Sequence, residues 1–245
     1  MFTKLPRWVE VGGFWLASIA GAVNAIGLLG FQHQGVSHLT GISTLLGVSM
    51  VNLDVVEAAH LFFIMGSFML GAALSGAIID GAVLRLGRRY SVTLLIEAAL
   101  LLLAMFSLGR GSTAGHFFAA AACGLQNGMV STYSGAAIRT THVSGLFTDI
   151  GTMLGARLRG HVIDIRKVRL FLLLIAGFIL GGSIGAYSYQ HLQFIALTIP
   201  AGGATALAIV YWVYRLISQS HDENVLRPGS VPEPIAGSDK SGFKA

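Results

Sequence analysis

The chain has 245 residues, of which 54% are hydrophobic and 11% charged, with a net charge of +5 and a mean hydropathy of +0.72. A soluble domain of this length needs a far more polar surface, so the composition excludes that class and points to an integral membrane protein. The single cysteine, Cys123, lies inside an apolar run, which excludes a disulfide framework and any cysteine-based metal site.

At the N-terminus, Lys4 and Arg7 precede an apolar stretch that is too long for a signal-peptide core and lacks a clean cleavage site. The first segment is therefore expected to stay as a helix. Long apolar spans run over 12–32, 57–80, 90–109, 113–135, 168–189 and 192–214. Each suits a hydrocarbon core of about 30 Å, which takes about 20 helical residues. Two shorter stretches, 38–53 and 142–156, lie between them, and both begin with Ser, Thr or His beside a Gly. After a membrane domain over 1–217, Asp222, Glu223, Pro228, Pro232 and Pro234 replace the apolar pattern, so 218–245 reads as a disordered cytoplasmic tail.

The short stretches are two copies of one motif. Asn24 with His38-Leu39-Thr40-Gly41-Ile42-Ser43-Thr44 returns as Asn127 with His142-Val143-Ser144-Gly145-Leu146-Phe147-Thr148, and Gly21 and Gly124 stand three residues before each Asn. The chain is thus a duplicated unit, with repeat one over about 12–109 and repeat two over about 113–215. Paired halves that carry a polar, Gly-interrupted segment at matching positions point to a central transport site. The duplication extends to Phe68-Met69-Leu70-Gly71 and Phe178-Ile179-Leu180-Gly181. Gly177, Gly181 and Gly185, four apart, predict close helix packing rather than substrate contact.

Lys and Arg positions bear on how the short stretches are counted. Arg85, Arg88 and Arg89 fall in one loop, and Arg157, Arg159, Arg166, Lys167 and Arg169 in another. If the short stretches do not cross, both loops and both termini are cytoplasmic and Arg110 alone lies outside. If they cross, there are eight spans, the Arg85 to Arg89 cluster lies outside, and the halves are parallel. The first count is favoured. It gives an all-α integral membrane fold of six transmembrane helices plus two short re-entrant or half-membrane helices, arranged as two inverted structural repeats. The same arrangement accounts for the basic balance better than nucleic-acid binding does, since the bases sit at membrane edges.

Several polar residues are candidates for chemistry. Thr40-Gly41 and Ser144-Gly145 resemble helix starts, where a hydroxyl caps orphan N–H groups and the partial positive helix end attracts an anion or a dipolar solute. Asn24 and Asn127 either hydrogen-bond across the bundle or line a site. His38 and His142 suit gates, proton carriers or interfacial anchors. Glu97, in the middle of an apolar span, and Asp149 are proton-coupling candidates, and Arg139 is a structural partner for Asp149. His60 and His116 read as snorkelling or inter-helix hydrogen-bonding groups rather than haem ligands. The expected binding set is Asn24, His38, Thr40, Gly41, Thr44, Gln126, Asn127, His142, Ser144, Gly145 and Thr148, with no metal and no cofactor. His142 and Ser144 superficially suggest an intramembrane serine nucleophile, but no second base stands where one is needed, so no enzyme is expected.

The expected function is a membrane permease or secondary transporter for a small polar or anionic solute, with proton linkage through Glu97 or Asp149. The alternative is a non-transporting accessory or assembly protein in which the same polar residues are structural. Expected partners are the lipid bilayer and the solute, with no nucleic acid. Exposed glycine-rich faces would allow a homodimer.

Ala20-Gly21-Ala22-Val23-Asn24-Ala25, His38 to Thr44, Gly124-Leu125-Gln126-Asn127 and Ile138-Arg139-Thr140-Thr141-His142-Val143-Ser144-Gly145 together resemble the YoaK-like membrane proteins of the DUF1275 family. The similarity spans about 12–215. Asn24 stands where that family usually has an acid, and Ile42-Ser43 where it has Asn before Thr. The resemblance implies a multi-pass protein of the bacterial inner membrane, its termini cytoplasmic, and carries no established activity. If the acid couples protons in relatives, its replacement by Asn24 directs attention to Glu97.

Overall fold

The computed structural model describes residues 7–30, 35–79, 88–134 and 140–226. Lys4, Arg85, Arg139 and the part of the expected tail beyond Leu226 lie outside them. Among the described residues the elements are helical: α1 (Arg7–Gly30), α2 (Leu39–Val51), α3 (Val55–Ile78), α4 (Arg88–Gly109), α5 (Ala114–Ser134), α6 (Val143–Leu158), α7 (Ile165–Leu192), the 3₁₀ segment Gln193–Leu197 and α8 (Thr198–Leu226). The expected spans appear with shifted ends, and α8 continues past 218, where the tail was expected to begin.

Stretches 10–30, 55–78, 88–109 and 165–216 are long and apolar enough to cross a membrane, the last containing both α7 and most of α8. Helix α5 is not among them, because His116, Gln126 and Asn127 dilute its apolar content. Helices α2 and α6 have 13 and 16 residues. At 1.5 Å per residue that is about 20 and 24 Å, short of a bilayer core.

The two halves are interlocked. The most extensive interfaces are α1 on α7 and α3 on α5, so the first long helix of each half packs on the third helix of the other. Glycines set these approaches. A Cβ on Gly21 would overlap the Phe178 carbonyl, and one on Gly124 the Phe68 carbonyl. Reciprocally, Gly181 lies on the Ser18 carbonyl and Gly71 on that of Ala121. Phe68 with Gly71 and Phe178 with Gly181 were paired by sequence, and they occupy the same places in the two interfaces. With little hydrophobic force between helices in lipid, this close backbone packing is what draws them together.

Contact order fixes helix direction. Gly177, Gly181 and Gly185 meet Phe14, Ser18 and Ala22 in sequence, so α1 and α7 are parallel. His60 meets His116, Phe68 meets Gly124 and Ala72 meets Gly128, so α3 and α5 are parallel. Helix α8 is antiparallel to α1, with Gly12 facing Tyr211 and Gly203 facing Ile19. It is antiparallel to α4 as well: Arg88 stacks on Trp212, while Ala98 to Leu108 share a cluster with Ala196 to Ala204. Helix α5 opposes α1, since Leu16 and Ala17 cluster with Met129 and Val130, and Ile19 and Val23 with Ala119 and Ala122.

Helix α2 folds back along α3, with Ile42 against Leu61 and Ile64, and Leu39 near Phe68. It therefore covers the N-terminal half of α3 and starts at mid-height. Helix α6 lies on α7, with Leu146 in the cluster of Leu170, Phe171 and Leu174. Asp54 caps α3 by accepting from the Glu57 N–H at 3.0 Å, and Asp164 caps α7 by accepting from Arg166 and Lys167 N–H groups at 3.1 and 3.2 Å. With these directions, Arg88, Arg157, Arg166, Arg169 and Arg215 lie on one face and Arg110 on the other.

Candidate functional site

The N-termini of α2 and α6 converge on one cavity of about 300 Å³. Ser37, His38 and Thr40 reach it from one copy of the motif, and Thr141, His142 and Ser144 from the other. Its wall is the α3–α5 pair, through Phe68, Ala72, Asn127, Gly128 and Ser131. The site is therefore built against one of the two interlocked interfaces, that of α3 and α5. His38, Thr40, His142 and Ser144 are exposed, so the cavity is open at the tips.

Both helix starts differ from the expected capping. His38 and His142, not Thr40 and Ser144, are the N-cap residues, and neither makes a side-chain cap hydrogen bond. Thr40 and Ser144 are already helical. Their carbonyls accept from the hydroxyls of Thr44 at 3.0 Å and Thr148 at 3.0 Å. The first turns of both helices, neither with a side-chain cap hydrogen bond, therefore border the cavity, each bringing the partial positive charge of a helix end.

The two asparagines hold the approaches to these tips. Asn24 Oδ1 accepts from the Ser37 hydroxyl at 2.8 Å. Asn127 donates through Nδ2 to Thr141 Oγ1 at 2.8 Å and to the Cys123 carbonyl at 3.1 Å, and accepts from Thr140 Oγ1 at 3.4 Å. Each amide pins the segment that leads into its half's short helix. Asn127 also lines the cavity, whereas Asn24 does not.

Of the expected binding set, the structure brings His38, Thr40, Asn127, His142 and Ser144 together. Gln126 lies apart from the cavity: it is buried and donates to the Leu16 carbonyl at 2.8 Å, tying α5 to α1. Thr44 and Thr148 lie one turn beyond the tips with their hydroxyls spent on backbone, and neither lines the cavity. Gly41 lies under the His38 ring, and Gly145 faces open space. Ser37, Thr141 and Ser131 were missed. The first two directly precede His38 and His142, and Ser131 follows Asn127 by one turn, so the signal was present in both cases.

The proton-coupling candidates sit elsewhere. Glu97 is buried in α4, between residues of two core clusters, and its Oε2 has no hydrogen-bond partner. Asp149 is exposed on α6. His60 Nε2 and His116 Nδ1 are 2.8 Å apart, the expected inter-helix hydrogen bond.

No curated protein and no solved structure matches the chain. The model of a family described as protein of unknown function, DUF1275, matches residues 12–210. With that match over most of its length, and with the paired Asn, His and Gly positions arranged as above, the chain belongs to the DUF1275 family.

Proposed function

We propose that the protein is a membrane permease or secondary transporter for a small polar or anionic solute, built as six crossings and two half-membrane helices in inverted repeats. The observation that carries the reading is the shared cavity between two helix starts that lack side-chain caps. Oriented N–H groups and a positive helix end at each tip suit an anion or a strongly dipolar solute. The Asn127 amide and the hydroxyls of Ser131, Thr141 and Ser144 add hydrogen-bonding groups. A volume of about 300 Å³ is at the small end of ligand sites.

The helix directions support the inverted arrangement. Helices α1, α4 and α7 run one way and α3, α5 and α8 the other, so α1 and its equivalent α5 are opposed. That pattern requires α2 and α6 not to cross. On this reading the arginine-rich face is cytoplasmic, in a bacterial inner membrane. The protein performs no covalent chemistry, and Glu97 is the proton-coupling group, because a buried carboxyl whose Oε2 lacks a hydrogen-bond partner is poorly explained by a structural duty.

The test is solute-dependent unfolding of the purified chain across a panel of small anions and amides. A solute at one hundred times its Kd stabilises by about 2.7 kcal/mol. The Ser131→Leu variant, which fills the cavity, should abolish that shift while still folding. A second reading, a non-transporting assembly protein, is favoured by the purely structural bonds of Asn24 and Gln126. It predicts no stabilising solute and no difference between the native chain and Ser131→Leu.

A further inference from the structure

We propose that the arginine-rich mouth of the α4–α8 interface is a binding site for one anionic diacyl phospholipid. Arg88, Ser91, Trp212, Arg215 and Leu216 line a cavity of about 310 Å³ there. A second, wholly apolar-surfaced cavity of about 220 Å³ adjoins it through the shared residues Ser91 and Trp212, and is walled by Leu95, Ala208, Ile209 and Val213. A chamber large enough for a phosphodiester headgroup, carrying two arginines and adjoining an apolar groove, has the shape of a lipid headgroup and the start of its acyl chain.

Charge says which lipid. The Arg88 guanidinium lies 5.9 Å from the centre of the Trp212 ring, a cation–π stack that holds it over the chamber. Neither Arg88 nor Arg215 has an ion-pair partner among the described residues. Arg88 also occupies the first turn of α4, where the positive helix end disfavours a cation. A phosphate in the chamber would relieve that repulsion and pair both guanidiniums. Trp212 is half-exposed near the arginines, and indole rings favour the headgroup region. Repeat packing does not require these arginines: at the other end of the same interface α8 begins Thr198-Ile199-Pro200-Ala201, without a basic residue. Basic pockets between helices on the cytoplasmic side are known lipid-headgroup sites in general.

The test uses the full chain in lipid nanodiscs, with Trp8→Phe and Trp15→Phe leaving Trp212 as the fluorophore. Brominated phosphatidylglycerol should quench Trp212 at a much lower mole fraction than brominated phosphatidylcholine. Each arginine near the surface contributes about fivefold in affinity, so Arg88→Gln with Arg215→Gln should weaken the phosphatidylglycerol preference by about 25-fold. The paired Lys variants should keep most of it. Should the Gln pair not fold, unbrominated phosphatidylglycerol must still restore fluorescence in the chain carrying Trp212 alone, where phosphatidylcholine does not. Equal quenching by the two lipids, or a preference that survives in the Gln pair, would overturn the proposal. Displacement of the brominated lipid by millimolar inorganic phosphate would overturn it too, by showing a headgroup-only anion site.

Discussion

Gly21 and Gly124 stand where one helix backbone rests on another, against the carbonyls of Phe178 and Phe68. Gly21→Ala and Gly124→Ala should each cost about 1–3 kcal/mol through overpacking, even though Ala is the better helix former. Gly47 and Gly202 have open space where a Cβ would go, so the same change there should be neutral or stabilising. Thermal unfolding in detergent separates the two classes; equal effects at all four positions would mean the close approach is not what these glycines serve. Glu97 makes the opposite case. Its buried carboxyl, with Oε2 lacking a hydrogen-bond partner, is a liability to the fold, so Glu97→Met should raise the unfolding temperature, by about 1–3 kcal/mol of relieved desolvation. If Glu97 couples protons, the same variant loses uptake while gaining stability; a drop in stability would instead reveal a structural partner. Gly21, Gly124 and Glu97 could be singled out from sequence because duplication and charge at depth are visible there. The division of labour between Asn24 and Asn127 could not, since it depends on how each following loop turns its hydroxyl back onto the helix.

At the scale of elements, α3 and α7 begin in the same way. Asp54 and Asp164 are equivalent caps, set just after the short helix of each half. Replacing either by Ala should cost about 1 kcal/mol. The larger effect is expected at Asp164, whose carboxylate accepts two N–H groups and also faces a first turn carrying Arg166 and Lys167. Hydrogen exchange in the first turn of each helix reads this directly: faster exchange confined to α3 in Asp54→Ala and to α7 in Asp164→Ala is the expected pattern, and unchanged exchange would show the caps to be incidental. Helix lengths were legible from apolar runs. Helix starts were less so, because Thr40 and Ser144 have the right chemistry for caps but fall inside helices that His38 and His142 open. Local propensity ranks those residues correctly, yet the site of the first helical turn is decided by where α2 meets Leu61 and Ile64 and α6 meets Leu170.

For the whole molecule, exchanged packing makes the halves inseparable: α1 needs α7, and α5 needs α3. Charge placement alone left six and eight crossings both open in the sequence, because a short apolar stretch carries no record of which side it leaves from. Helix direction supports the six-crossing proposal. Helices α1 and α4 both oppose α8, so their starts lie on the same face; the chain returns to that face after an even number of crossings, α1 and α3, which requires α2 to turn back. This arrangement predicts that the α4–α5 turn and the α6–α7 turn lie on opposite sides of the membrane, whereas eight crossings would put them together. Cys123 is buried, so its replacement by Ala provides a thiol-free background. In it, Ser112→Cys and His161→Cys sit on exposed turns and should tolerate the change. A membrane-impermeant maleimide added to intact cells should label position 112 and spare position 161, with the reverse in inside-out vesicles. Asn52→Cys, at the end of α2, should follow position 112, because a half-helix returns to the face it entered from. Labelling of positions 52, 112 and 161 all from one side would establish parallel halves, and with them a different meeting point for the two helix tips.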